Sequence, residues 1–227
     1  MQEPLTGTAW VAQILQRTTA HELVARTLTL STGAVVLSPA QRSDTFTFDG
    51  LTLKTIFGPK WRLLLIGAGQ LSQAVAHMAT MLDFEVLVCD PREEYAALLP
   101  AQGVTRLLGM PDDVVQGLQA DPHTAIVALT HDPKLDDMAL IAALQSDAFY
   151  VGALGSQRNT SARVARLKEH FELTDAQLAR LHGPVGLWLG AKTPAEIAVS
   201  IIAQIVQVKN AIHAVTDAQR ACELPAD

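Results

Sequence analysis

The densest grouping of reactive side chains is Thr130-His131-Asp132-Pro133-Lys134-Leu135-Asp136-Asp137. One imidazole and three carboxylates within seven residues have the types needed for a metal site, or for a general base oriented by a carboxylate. A structural reading covers part of the group: Asp132 as the N-cap of a helix, Pro133 in its first turn, and Asp136 and Asp137 on its exposed face. That reading leaves His131 without a task, so His131 and Asp132 are taken as facing a ligand. No second histidine stands at a ligand spacing, and no metal site is assigned.

Two further stretches have the make-up of anion sites. In Gly67-Ala68-Gly69-Gln70-Leu71-Ser72, Gly67 allows a tight turn and Gly69 lets backbone approach a ligand closely. Gln70 and Leu71 then open a helix whose free N–H groups and positive dipole end suit a phosphate. Ser72 stands where a dinucleotide fingerprint has its third glycine. Asp90 follows 23 residues after Gly67, the place of a carboxylate on the ribose hydroxyls of NAD, or it caps the next helix. Arg92, two residues on, suits a 2′-phosphate or another anion. Gly155-Ser156-Gln157-Arg158 repeats the pattern of small residues before a helix, with Arg158 just inside it. His182 and Lys192 bracket a glycine-rich loop. No Ser-His-Asp or Cys-His set pairs up, so the sequence offers a phosphate-binding crevice without a catalytic apparatus.

These residues need a scaffold that brings loop ends together. From Trp61 onward strands and helices alternate, with strands expected at Leu63–Ile66, Glu85–Asp90, Val104–Leu108, Thr124–Leu129 and Ala148–Gly152. Helices are expected at Leu71–Leu82, Glu93–Leu99, Asp112–Leu118 and Lys134–Gln145. Leu63 to Ile66 is apolar without alternation, which suits a strand buried on both faces of a parallel sheet. Right-handed crossovers then give a Rossmann-like α/β fold, a doubly wound sheet ordered 3-2-1-4-5. Its switch point lies between the first and fourth strands, so Gly67–Ser72 should face Thr130–Pro133.

Residues 1–60 form a small N-terminal α+β subdomain in this reading, with a helix over Thr8–Arg17 and strands at Leu23–Leu30 and Ala34–Leu37. Thr45 to Ile56 is a hairpin turning at Asp49-Gly50. Residues 61–216 are the Rossmann-like domain with C-terminal helices, and 217–227 a flexible tail. Thr174-x-x-Gln177 and Thr193-Pro194-Ala195-Glu196 are helix-start signals. The helix from Pro194 to about Ala214 is apolar over most of its circumference, which calls for burial against the domain or against a second copy.

The 227 residues are 49% apolar and 18% charged, with a formal net charge of −6. That balance excludes nonspecific attraction to nucleic acid or anionic membrane. The two cysteines, Cys89 and Cys222, are far apart, and no apolar run reaches membrane-spanning length. A cytoplasmic protein without disulfides is expected.

Assembled, these stretches resemble the xanthine dehydrogenase accessory protein family (XdhC/CoxI type). The resemblance is carried by Leu65-Ile-Gly-Ala-Gly69, Phe84 to Glu94, Leu129 to Asp137 with Phe149 to Ser156, and Gly190 to Ile201. It implies a Rossmann-like protein that binds molybdenum cofactor, shields it during sulfuration by a cysteine desulfurase, and delivers it to a molybdenum hydroxylase apo-enzyme. Homodimers are expected. The chain departs from the family pattern at Gln70 (histidine), Gln157 (arginine or lysine) and Trp188 (aspartate). The family's usual N-terminal domain, with its glycine-rich cysteine-containing segment, is expected to be missing or much shortened, and no cysteine precedes Cys89. Two other functions fit the same loops: an NAD(P)-dependent oxidoreductase, and a nucleotide-sensing regulatory subunit.

Overall fold

The computed structural model describes residues 7–41, 44–96 and 103–223. The chain divides into two units: Met1–Pro59 with Ile212–Asp227, and Lys60–Ala211. In the first unit, helix α1 (Ala9–Thr19) precedes strands β1 (Val24–Thr29), β2 (Val35–Pro39), β3 (Thr47–Phe48) and β4 (Thr52–Phe57). The strands form an antiparallel sheet in the order β2-β1-β4-β3. Ile14 of α1 and Val24, Ala25 and Leu28 of β1 are buried apolar residues of this unit, and the Arg26 guanidinium lies 4.3 Å over the Trp10 ring. The hairpin turn sits one residue later than Asp49-Gly50. Phe48 pairs with Leu53, so Gly50 and Leu51 are the central residues, and Gly50 takes the positive φ of +88°. Asp49 stands before them because its carboxylate accepts from the N–H groups of Leu51 (2.8 Å) and Thr52 (2.6 Å).

The second unit opens with β5 (Arg62–Ile66), α2 (Gln70–Met81), β6 (Glu85–Cys89), α3 (Glu93–Ala96), β7 (Val104–Leu107) and α4 (Pro111–Leu118). It continues with β8 (Thr124–Ala128), α5 (Pro133–Gln145), β9 (Tyr150–Ala153), α6 (Gln157–Phe171), α7 (Asp175–Leu178), β10 (Leu181–His182) and the part of α8 (Pro194–Glu223) up to Ala211. All pairings are parallel, in the order β10-β9-β8-β5-β6-β7. The expected order 3-2-1-4-5 is therefore present, with a sixth short strand beyond the fifth. Two residues are too few to show a period, and the sequence pattern does not disclose β10 for that reason. The part of the third helix expected beyond Ala96 lies outside the described residues.

Alternate residues of β5 serve opposite faces of the sheet. Leu63 and Leu65 pack with α2 and with Ala198, Ile201 and Ile205 of α8. Leu64 and Ile66 pack with Ala139, Leu140 and Ala143 of α5 and Leu167 of α6. Both faces are covered, which is why no alternation shows in the sequence. Thr174 and Gln177 form the expected capping box, and Glu196 and Thr193 exchange bonds at the head of α8. That helix runs past Ala214 to Glu223, through Ala218, Gln219, Arg220 and Ala221, which are good helix formers.

Ile201 and Ile205 are fully buried, Ile202 nearly so, whereas Val199 is 47% exposed. The helix is therefore buried along one broad face and open on another. Ile205→Glu should cost roughly 3–5 kcal/mol, the scale of an uncompensated buried charge. Chemical denaturation measures this, and an unchanged midpoint would contradict the packing.

Candidate functional site

The β5–α2 turn is built by two glycines with different duties. Gly67 has φ +107°, and a Cβ there would lie 3.1 Å from the backbone of Leu129 and Thr130. Only glycine allows both the conformation and the approach of the β8 end. The two loops expected to face each other thus meet at Gly67. Gly69 is the N-cap of α2 in an extended conformation, and a Cβ there would meet nothing within 4 Å. It provides no side-chain cap, so the first-turn N–H groups stay open to an anion. Gln70 is exposed and Leu71 is buried beneath it. Ser72 is buried, and its Oγ has no hydrogen-bond partner.

Asp90 holds this turn from the end of β6. Its Oδ2 accepts the Ala68 N–H at 2.9 Å, and the Arg92 guanidinium donates to both oxygens at 2.9 and 2.8 Å. The backbone N–H of Arg92 adds a fourth bond, and the guanidinium lies 4.2 Å over the Tyr95 ring. Burial works against ionisation of Asp90, yet the bonds from Arg92 and Ala68 outweigh it and hold the carboxyl below its ordinary pKa. Both oxygens are thus engaged by the protein itself.

The β8–α5 loop carries His131 exposed and in a left-handed conformation, φ +63°. Such a backbone is costly for a residue with a Cβ and persists where its surroundings impose it. The imposing residues are Thr130 and Asp136. Thr130 Oγ1 lies 2.7 Å from Asp136 Oδ1 and accepts the Asp132 N–H at 2.9 Å, while the Thr130 N–H also reaches Asp136 (3.1 Å). Asp132 is the N-cap of α5, accepting from the Lys134 N–H at 2.9 Å, with Pro133 in the first turn, as the structural reading has it.

Asp136 and Asp137 do not lie on an exposed face: they are 1% and 7% exposed. Arg163 of α6, itself buried, donates to Asp137 at 2.9 Å, to Asp136 at 3.2 Å and to the Leu154 carbonyl at 3.2 Å. Arg166 closes the set on Asp137 at 2.7 Å. Burial raises the Asp136 pKa above its ordinary value, with Thr130 and Arg163 opposing that shift. Local sequence does not disclose this network, because its partners stand 26 and 27 residues apart. Among the described residues, no group of three or more His, Cys, Asp or Glu is arranged to hold a metal ion.

At the β9–α6 turn, Ser156 is the N-cap of α6 and accepts from the Asn159 N–H at 3.2 Å. Gly155 is half-buried beside it and Arg158 is exposed. A cavity of about 640 Å3 lies between this turn and the loop leading into α8. His182 stacks on Tyr150, with ring centroids 4.5 Å apart and planes 10° apart, and burial lowers its pKa. Its place is structural. The structure joins Gly67 to Thr130 through backbone contact, Ala68 to Asp90 and Arg92, and the β8–α5 loop to β9 through Arg163.

A parallel sheet with a glycine turn, an uncapped helix head and loops gathered at its carboxyl edge defines a Rossmann-type domain. The family model described as the XdhC Rossmann domain matches residues 63–205, and the chain belongs to that family. It is 32% identical over 161 residues to a probable xanthine dehydrogenase subunit of Bacillus subtilis (strain 168), covering 69% of this chain and 46% of that protein. It is 26% identical over 176 residues to the molybdenum cofactor insertion chaperone PaoD of Escherichia coli (strain K12), covering 78% and 48%. The chain spans less than half the length of the curated relatives it matches. A crystal structure of a xanthine dehydrogenase from Bacillus halodurans has the same fold, with TM-score 0.69 and 24% identity over 89% of this chain and 64% of that one.

Asp90→Asn tests the turn. The pKa of Asp90 is depressed in the fold, so its contribution to stability is present above the unfolded carboxyl pKa of about 3.9 and fades as pH falls through the folded value. The variant should lose roughly 1.5–3 kcal/mol at neutral pH, the worth of hydrogen bonds to a charged group, and lose less on acidification than the parent. Parallel stability–pH curves for the two proteins would contradict this role.

Proposed function

We propose that the chain is an accessory protein for a molybdenum enzyme of the xanthine dehydrogenase type. It carries molybdenum cofactor as cargo, shields it during sulfuration by a cysteine desulfurase, and hands it to the molybdenum hydroxylase apo-enzyme in the cytoplasm, acting as a homodimer. No helix among the described residues is long and apolar enough to cross a membrane. The observation that carries the reading is the head of α2. Gly69 leaves an unobstructed approach to uncapped N–H groups, and two relatives bear the names of a molybdenum cofactor insertion chaperone and a probable xanthine dehydrogenase component.

An anionic part of the cargo lies against Gly67, Gly69, Gln70 and Leu71, where the helix dipole and free N–H groups favour negative charge. His131, held out in its left-handed loop, hydrogen-bonds the cargo, with Asp132 fixing the start of α5. Gly155, Ser156 and Arg158 supply the far side. Asp90 and Arg92 act through the turn that they fasten. This favours a carrier over an NAD(P)-dependent oxidoreductase, because a ribose would have to displace Ala68 and Arg92 from the Asp90 carboxylate.

Two variants test the reading. Gly69→Val places a branched side chain in open space, so the protein should fold while losing cofactor. Full retention of molybdenum cofactor by the folded variant would remove the site. His131→Ala should weaken retention and His131→Gln partly restore it, since a binding residue needs a hydrogen bond and not a titration. The parent should transfer no hydride to a nicotinamide cofactor. Turnover with NAD that falls roughly 10²–10⁴-fold in His131→Ala at unchanged affinity would instead identify a general base.

A further inference from the structure

The cavity beside the β9–α6 turn has a character that the phosphate site lacks. At about 640 Å3 it falls within the roughly 300–1,000 Å3 of small-molecule pockets. Val185, Leu187, Trp188, Leu189 and Ile197 make most of its wall apolar. Trp188 is 97% exposed, so a full indole surface stands in water.

The loop that carries this indole is not loose. The Val185 N–H donates to the Ala153 carbonyl at 3.0 Å and the Leu187 N–H to the Ser200 carbonyl at 3.1 Å. The Gly186 N–H donates to Gln204 Oε1 at 2.8 Å, and the same oxygen takes the Tyr150 hydroxyl at 2.5 Å. At Gly186, with φ +101°, a Cβ would collide with Ser200 Oγ, so glycine alone lets the loop rest on α8. The backbone is fastened up to Leu187, and Trp188 is held away from the core by it. The backbone that presents the indole is thus ordered before a ligand arrives, which lowers the ordering cost of stacking.

Charge narrows the occupant. Among the described residues, no carboxylate lines the cavity, while Lys192 does. The nearest acid in sequence, Glu196, is engaged by the N–H groups of Lys192 and Thr193. A flat π surface beside a cation, with no acid in the wall, selects a planar ring that bears negative charge.

We propose that this cavity binds a planar fused heteroaromatic ring carrying a phosphate or diphosphate, with the ring stacked on Trp188 and the anionic group at Lys192. This deepens the carrier reading and rests on it for one source of such a ring, a pterin. A purine nucleotide offers the same chemistry.

The test uses the full chain and four probes: 6-hydroxymethylpterin, its diphosphate, AMP and inorganic pyrophosphate. Tryptophan fluorescence reports stacking, with W188F removing the Trp188 signal from that of Trp10 and Trp61, and calorimetry gives affinities. The phosphorylated ring compounds should quench Trp188 and bind more tightly than pyrophosphate. W188A should weaken them about fivefold or more, the scale of a lost ring–aromatic stack, while W188F stays near the parent. K192A should weaken the diphosphate and leave 6-hydroxymethylpterin unchanged. Because Trp188 is exposed, its truncation removes no core packing. Equal affinities of parent and W188A for every ring probe, or no quenching at millimolar concentration, overturns the proposal. If W188A purified without oxygen retains molybdenum cofactor while Gly69→Val loses it, the ring pocket falls and the carrier reading stands. If AMP binds through Trp188 and the parent retains no molybdenum cofactor, the pocket stands and the carrier reading falls.

Discussion

Arg163 reaches from α6 to the carboxyl edge of the sheet and there binds Asp136, Asp137 and the Leu154 carbonyl. One buried guanidinium thereby ties the β8–α5 loop to the end of β9. Asp136 passes the constraint to Thr130, whose backbone lies against Gly67, so three loop ends share one fixed arrangement. A buried ion pair adds little net stability over well-packed apolar side chains, because desolvation offsets most of its attraction. What it contributes here is position. An apolar replacement could fill the volume, but it could not hold the Thr130 N–H or keep His131 in its left-handed conformation.

The other side of the turn is fixed by the same means. Asp90 takes the Ala68 N–H and is itself held by Arg92. Polar bonds therefore fasten the turn from β6 and a close backbone approach fastens it from β8. At Gly69, between them, an added Cβ would meet nothing within 4 Å. The turn is fastened on both sides of an opening, which suits the proposed carrier role.

The sequence disclosed the scaffold more fully than the site. Leu63 to Ile66 announced a central strand because burial on both faces removes alternation, and Gly67 announced the turn because no other residue fits there. Thr174 and Thr193 announced helix starts because capping boxes are local. The acid–base network stayed hidden because Asp136 and Asp137 look like surface carboxylates until Arg163, far along the chain, is folded against them. Asp90 was legible as important, but its engagement with Ala68 and Arg92 depends on how β5 and β6 lie side by side. Two-residue β10 carried no pattern, and the cavity beside Trp188 depends on how the loop rests on α8 through Gly186.

We propose that the carboxyl edge of this sheet carries molybdenum cofactor. Purification of the protein without oxygen from cells that make the cofactor, followed by mass spectrometry of the small molecules released on denaturation, tests it directly. Molybdenum cofactor or its pterin breakdown products should appear in proportion to the protein. Release of NAD or NADP in that proportion, with no pterin, would contradict it.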